Sequence, residues 1–189
     1  MKEDITKHSI QLFEQKGFSE TSVQDIVDSV GVTKGTFYYY FKSKETLLMD
    51  IHLQYINNLL SRQQEVIEKE DTYRGKLIKN VELLIGDIET HGPSGRVFFR
   101  EIRHLSPENI EEILVKRDEF RLAIEEILQE GVQSGEFREN LNPKMISFAV
   151  LGVTNWSYQW FNPAGDVSAN QLASMFSDFI LHGIQSEGD

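Results

Sequence analysis

The stretch from Ser22 to Leu47 reads SVQDIVDSVGVTKGTFYYYFKSKETL. Val23, Ile26, Val27 and Val30 recur at helical spacing, behind Thr21 or Ser22 as a cap and with Gln24 or Asp25 as its reciprocal partner. This pattern predicts a short helix over about 23–30. Gly31 turns the chain, and a second short helix follows over about 33–41. Ser43 is placed to cap a longer helix that starts at Lys44 and runs into the 60s. Two short helices joined by a turn of about three residues that contains glycine have the spacing of a helix-turn-helix.

The second short helix carries five consecutive aromatic residues, Phe37 to Phe41. Phe37 and Phe41 lie four apart and share one face, which is expected to turn inward. They would join Leu12, Phe13, Val23, Ile26, Val27, Val30 and Val32 in a small core. Tyr38 and Tyr39 must then face elsewhere, because a buried phenol needs a hydrogen-bond partner. With Lys34, Gly35 and Thr36 they form a short hydrogen-bonding surface able to enter a DNA major groove about 12 Å wide. Their hydroxyls suit phosphate oxygens, Gly35 permits close backbone approach, and Lys44 adds charge beside the free amides of a helix start. An ordinary bundle with a tyrosine-rich face is the plain alternative, and the preceding helix and turn argue against it.

Composition sets the wider frame. The 189 residues contain no cysteine, which excludes disulfide scaffolds, thiolate zinc sites and thiol nucleophiles and suggests a reducing compartment. The longest apolar run, Met145 to Val153, is too short to span a bilayer, and the N-terminus lacks the apolar centre of a signal peptide, so a cytoplasmic protein is expected. Net charge is −11, but residues 47–189 carry −10 of it against −1 in residues 1–46. Lys34, Lys42 and Lys44 therefore leave a small positive patch where the aromatic run lies.

Outside the opening stretch, apolar spacing predicts helices over about 3–16, 73–90, 95–105, 107–134, 143–161 and 168–185. The segment HGPSG at 91–95 reads as a break. Ser106 and Pro107 read as a helix start, Gly135 as a stop, and Ser168 with Gln171 as a capping box. The fold class is all-α, with about nine helices and no flexible linker.

The segment LFEQKGFSETSVQDIVDSVGVTKGTFYYYFKSKETLL, residues 12–48, resembles the N-terminal domain of the TetR (tetracycline repressor) family. The resemblance implies a homodimeric bacterial repressor. Three helices, in residues 1–46, would form its DNA-binding head, and residues 47–189 its ligand-binding and dimerisation domain. Carried over, the family's DNA-contacting positions fall on Ser22 and Thr33 (phosphates), Lys34, Gly35 and Thr36 (bases or phosphates), Tyr38, Tyr39 and Tyr40 (mostly backbone) and Lys44 (phosphate). Tyr40 departs from a frequent histidine, and Phe37 stands where leucine is common. Binding to a palindrome through two heads about 34–36 Å apart follows.

The helix over 143–161 is apolar almost all round and is expected to be covered on every side. Together with the helix over 168–185 it is expected to form a four-helix dimer interface. GRVFFREIRHL, 95–105, sets Arg96, Arg100 and Arg103 on one side of a helix beside Phe99, and NWSYQWF, 155–161, supplies Trp156 and Trp160 near Phe148. Guanidinium groups bind phosphate bidentately, so an amphiphile with an apolar tail and phosphorylated head suits these residues as effector. The two segments also resemble the branch of the family that responds to acyl-coenzyme A thioesters and controls lipid catabolism. A solvated arginine face with core tryptophans is the structural alternative. A regulator sensing another apolar compound, or a helical protein docking a basic partner instead of DNA, are the alternative functions.

Nothing in the chain reads as a catalytic, cofactor or metal site. Asp87 with His91 and Asp178 with His182 are carboxylate–imidazole pairs at i, i+4, but two ligands fall short of a metal centre. No phosphate-cradling glycine loop or nucleophile elbow is present.

Overall fold

The computed structural model describes residues 1–184. Eight α-helices and one 3₁₀ turn make up its regular elements: α1 (Lys2–Lys16), α2 (Val23–Val30), α3 (Lys34–Tyr40), α4 (Lys44–Lys69), α5 (Tyr73–Glu101), the 3₁₀ turn (Ile102–His104), α6 (Pro107–Gln133), α7 (Pro143–Trp160) and α8 (Ala169–Ile184). The last expected helix ended at Gln185, which lies outside the described residues. The chain divides into two compact units, Met1–Asn57 with Pro93–Val115, and Asn58–Gly92 with the chain from Lys116 onward. Helices α4, α5 and α6 each contribute to both.

Helix boundaries follow the capping chemistry. Ser22 caps α2 by accepting from the Asp25 amide while the Asp25 carboxylate accepts from the Ser22 amide. Gly31 then closes α2 in the left-handed region at φ 77°, a conformation that costs glycine nothing. Thr33 caps α3 by accepting from the Thr36 amide, Ser43 accepts from Thr46 N at the start of α4, and Ser168 with Gln171 forms the expected box before α8. Asn142 caps α7, a role the sequence reading did not assign.

The expected break at 91–95 is present. The helices anticipated over 73–90 and 95–105 are two helical segments of α5 that meet at a kink, with non-helical geometry at His91 (φ −130°, ψ 21°) and Pro93 just beyond it. Proline removes one backbone donor and crowds the preceding turn, which a helix can absorb as a kink as well as by ending. The final stretch, Ile102–His104, tightens to 3₁₀ geometry instead of continuing as α-helix.

The core of the first unit is built from Ile5, Phe13, Ile26, Val27, Phe37, Phe41, Leu47 and Leu48, all essentially buried, and Thr21 joins them. In the second unit the core gathers Leu77, Val81, Leu84, Ile85, Ile88, Phe120, Ile124, Leu128 and Phe137 with the inward faces of α7 and α8.

Candidate nucleic-acid interface and the helical body

Helix α3 separates its aromatics as the spacing requires. Phe37 and Phe41 are buried with ring centroids 5.8 Å apart, while Tyr38, Tyr39 and Tyr40 are 53%, 81% and 37% exposed. Tyr38 stands edge-on to Phe37, and Tyr39 and Tyr40 pack edge-to-face at 4.9 Å, so ring contacts hold the exposed phenols. Lys34, Gly35 and Thr33 are exposed beside them, and the Thr33 and Thr36 hydroxyls lie 3.2 Å apart at the start of the helix. The face offers hydroxyls, an amine and an open backbone, with no carboxylate among its residues. That is the chemistry of phosphate and base-edge contact.

The flanking candidates are differently placed. The Ser22 hydroxyl is drawn into the capping box, 2.5 Å from Asp25 Oδ2 and 3.1 Å from the Asp25 amide that it accepts from. The Ser22 hydroxyl and the Ser22 amide, both donating to Oδ2, hold the Asp25 carboxyl below its ordinary range. Lys44 Nζ donates to the carbonyls of Phe18 and Thr21, each at 2.6 Å, and sits 4.2 Å from the centre of the Phe18 ring. Burial pushes its pKa down, with Glu20 and Asp25 pulling the other way.

The arginine row ties α5 to α1. Arg96 pairs with Glu14 at 2.6 Å. One Nη of Arg100 donates to the carbonyls of Phe13 and Glu14, at 2.6 and 2.8 Å, and its Nε donates to the buried Glu101. Those carbonyls belong to the last turn of α1, so the guanidinium caps its C-terminus. Phe99 is half-buried, and Arg103 is exposed with Nε 3.4 Å from His104 Nε2. All four residues belong to the first unit, whereas Phe148, Trp156 and Trp160 belong to the second.

In the second unit α7 has two unlike faces. Ser147, Val150, Thr154, Ser157 and Tyr158 are buried, and Met145, Phe148, Trp156 and Trp160 are half or more exposed. Within a single chain the helix is thus uncovered on one side, the side left for the second subunit that the expectation of cover all round included. Phe148 lies under the Arg121 guanidinium at 4.8 Å. From α8, Met175 and Phe179 are also exposed, the latter at 70%. Between the two helices runs an apolar groove of about 540 Å³ lined by Ile146, Ala149, Val153, Phe179, Ile180 and Gly183, with Asp178 and His182 at its edge.

The same unit buries a charged cluster that the sequence only half disclosed. The Asp87 carboxylate has no exposed surface and takes an ion pair from Arg62, a 2.7 Å hydrogen bond from Tyr158 Oη and a 3.0 Å contact from His91 Nδ1. Asn80, Leu84, Asp87 and His91 fall on one stripe of α5, a signal that could have marked Asp87 as inward-facing. Among the described residues no group of three or more His, Cys, Asp or Glu could hold a metal ion, and no helix is long and apolar enough to cross a membrane.

A capped helix-turn-helix with an open tyrosine–lysine face, joined to an all-helical body, defines a DNA-binding regulator. The comparisons with known proteins place it further. Residues 5–51 match the family model described as bacterial regulatory proteins, tetR family, and residues 61–184 match the tetracyclin repressor-like C-terminal domain. The chain belongs to the TetR family and is a DNA-binding transcriptional repressor, not an enzyme. It is 30% identical to the HTH-type transcriptional repressor KstR2 of Mycolicibacterium smegmatis, over 100% of this chain and 93% of that protein. It is 28% identical to the fatty acid metabolism regulator protein of Bacillus subtilis, over 80% of this chain and 81% of that one. The solved structure of the ketosteroid transcriptional regulator KstR2 of Mycobacterium tuberculosis superposes with a TM-score of 0.91 at 22% identity, covering 98% and 95% of the two chains. That of AibR in complex with isovaleryl coenzyme A and operator DNA gives 0.82 at 22%, covering 94% and 96%.

Proposed function

We propose that the protein is a homodimeric, cytoplasmic repressor that binds a palindromic operator and is controlled by an amphipathic effector such as a fatty acyl-coenzyme A, acting on genes of lipid catabolism. The observation that carries this reading is the full-length relationship to KstR2, joined by that to a regulator of fatty acid metabolism. AibR, the structural relative solved with isovaleryl coenzyme A, adds an acyl thioester as precedent within the same fold.

Residues 1–46 form the head, where Thr33, Lys34, Gly35, Thr36, Tyr38, Tyr39 and Tyr40 face DNA and Ser22 stands at its edge. Residues 47–189 form the body, where α7 and α8 pair with a second copy. The exposed Met145, Trp156, Met175 and Phe179 support that pairing, because several large apolar side chains left in water on two neighbouring helices favour a contact surface there.

Arg96 and Arg100 give the effector a route to the head. An anionic head group bound there competes with Glu14 and with the last carbonyls of α1. Holding α1 and binding the anion are therefore alternatives, and the effector shifts the population by its preference between them, typically worth about 1–3 kcal/mol. The apolar tail needs an aromatic lining, to which the half-buried Phe99, next to Arg100, would contribute.

Native mass spectrometry of the purified protein tests assembly and ligand together, with two chains and a co-purified thioester expected. A gel-shift titration with palmitoyl-coenzyme A against free coenzyme A tests the response. If the thioester leaves operator affinity where it was, the effector class is wrong. A bound neutral apolar compound in the mass spectrum would favour the alternative sensor.

A further inference from the structure

The peptide linking Thr21 to Ser22 leads into the N-cap of α2, and it is pinned at both ends. Its carbonyl accepts from Lys44 Nζ at 2.6 Å, and its N–H, that of Ser22, donates to Asp25 Oδ2 at 2.8 Å. A second carbonyl in the same turn, that of Phe18, also accepts from Lys44 at 2.6 Å, as well as from the Thr21 amide at 3.3 Å. The Phe18 ring lies under the ammonium, and the buried Thr21 hydroxyl closes the turn onto Gly17 O at 2.8 Å. Two of the three ammonium donors are thus directed at the backbone that launches α2.

From this geometry we infer that Lys44 is a positioning residue for operator recognition: it fixes the angle at which α2 enters the helix-turn-helix and does not serve as a phosphate contact. The resemblance to the family assigned the opposite role, a surface cation on the DNA backbone. Charge-assisted hydrogen bonds to two carbonyls are short and strong, and the plane of the pinned peptide sets where α2, and through the Gly31 turn α3, departs. The inference rests on DNA binding by the family and is independent of which effector acts.

Salt dependence separates the two roles. Removing a cation that touches a phosphate lowers the slope of log affinity against log salt by about 0.9, whereas removing a positioning bond weakens binding at every salt concentration alike. In Lys44→Met, operator affinity is expected to fall about tenfold or more, measured well below the unfolding transition, with the wild-type slope retained. Hydrogen exchange at the Ser22 amide should quicken. Lys34→Met, on the exposed face, serves as the control whose slope drops. A slope reduced by about 0.9 in Lys44→Met would show a phosphate contact and overturn the inference. Unchanged affinity of the folded variant would reduce Lys44 to packing and overturn it equally. Should the Met variant fail to fold, Lys44→Arg decides. A planar guanidinium does not fit the two-carbonyl seat over Phe18, so affinity falls, whereas full affinity of the Arg variant would mean a charge on phosphate is all that is required.

Discussion

Asp87 is buried with three partners, and its removal is expected to be felt well beyond one hydrogen bond. Tyr158 and Arg62 reach it from α7 and α4, and His91 from one turn further along α5. Taking away the carboxylate leaves a guanidinium whose Nε already lacks a partner and removes the acceptor of the 2.7 Å bond from Tyr158. Asp87→Ala should therefore destabilise the protein by about 3 kcal/mol or more, and Tyr158→Phe by about 1 kcal/mol. The double variant should lose less than the sum, because the two side chains share one bond. Urea unfolding of the set, read as midpoints at constant m, measures all three. A loss under about 0.5 kcal/mol for Asp87→Ala would show that water replaces the pair at no penalty. The capping box at Ser22 is predicted to be sensitive to acid. Asp25 titrates below its ordinary value of 3.8 in the folded chain, so its contribution is complete above that value and fades as pH falls through the lower folded one. Ser22→Ala should flatten the acid limb of a stability curve recorded between pH 5 and 2.

Element by element, what the sequence made visible depended on whether the signal was local. Short helices with their own caps, such as α2 with Ser22 and Gly31 or α8 with Ser168 and Gln171, are written into a few neighbouring residues. The division of α3 into a buried phenylalanine face and an exposed tyrosine face was legible for the same reason, since two phenylalanines four apart orient three tyrosines. The interruption of α5 at His91 was legible as well, because Pro93 and two flanking glycines weaken the helix locally. The polar inner face of α7 escaped hydropathy because Ser147, Thr154 and Ser157 satisfy their hydroxyls on carbonyls one turn back, at 2.7, 2.9 and 3.3 Å. Likewise nothing near Lys44 or Arg100 says that their partners are carbonyls at Phe18 and Phe13; only the packed structure brings them together. Helix α6 supplies a prediction at this scale. A Cβ on Gly131 would come within 2.2 Å of the buried Phe137 ring, whose own amide donates to Gly131 O at 3.0 Å. Since the ring has no free space to retreat into, Gly131→Ala should destabilise by about 1–3 kcal/mol in spite of alanine's better helix propensity, and lower Tm by several degrees. A rise in Tm would mean that the loop after α6 yields easily.

At the scale of the whole molecule, assembly and operator binding are expected to respond to salt in opposite directions. Each chain carries a net charge of −11, so bringing two together is opposed by repulsion that added salt screens. In the proposed pairing the attraction on α7 and α8 would be apolar, from the exposed Trp156, Met175 and Phe179, the last also lining the groove, and it would gain from the same salt. Contact of the Lys34 face with phosphate releases counterions and weakens as salt rises. Affinity for a palindrome should then pass through a maximum when protein is dilute enough for the dimer to dissociate, and fall monotonically when it is not. Phe179→Glu isolates the first equilibrium. The side chain is 70% exposed, so the folded chain should keep its stability to within about 0.5 kcal/mol. Burial of a carboxylate against its symmetry mate should nevertheless disfavour pairing strongly. Sedimentation at micromolar concentration is expected to give the mass of one chain for the variant and of two for the wild type. Operator affinity of the variant should fall and lose its maximum, since one head alone holds only one half-site. If the variant still sediments as two chains, α7 and α8 are not where the copies meet, and the salt maximum would need another origin.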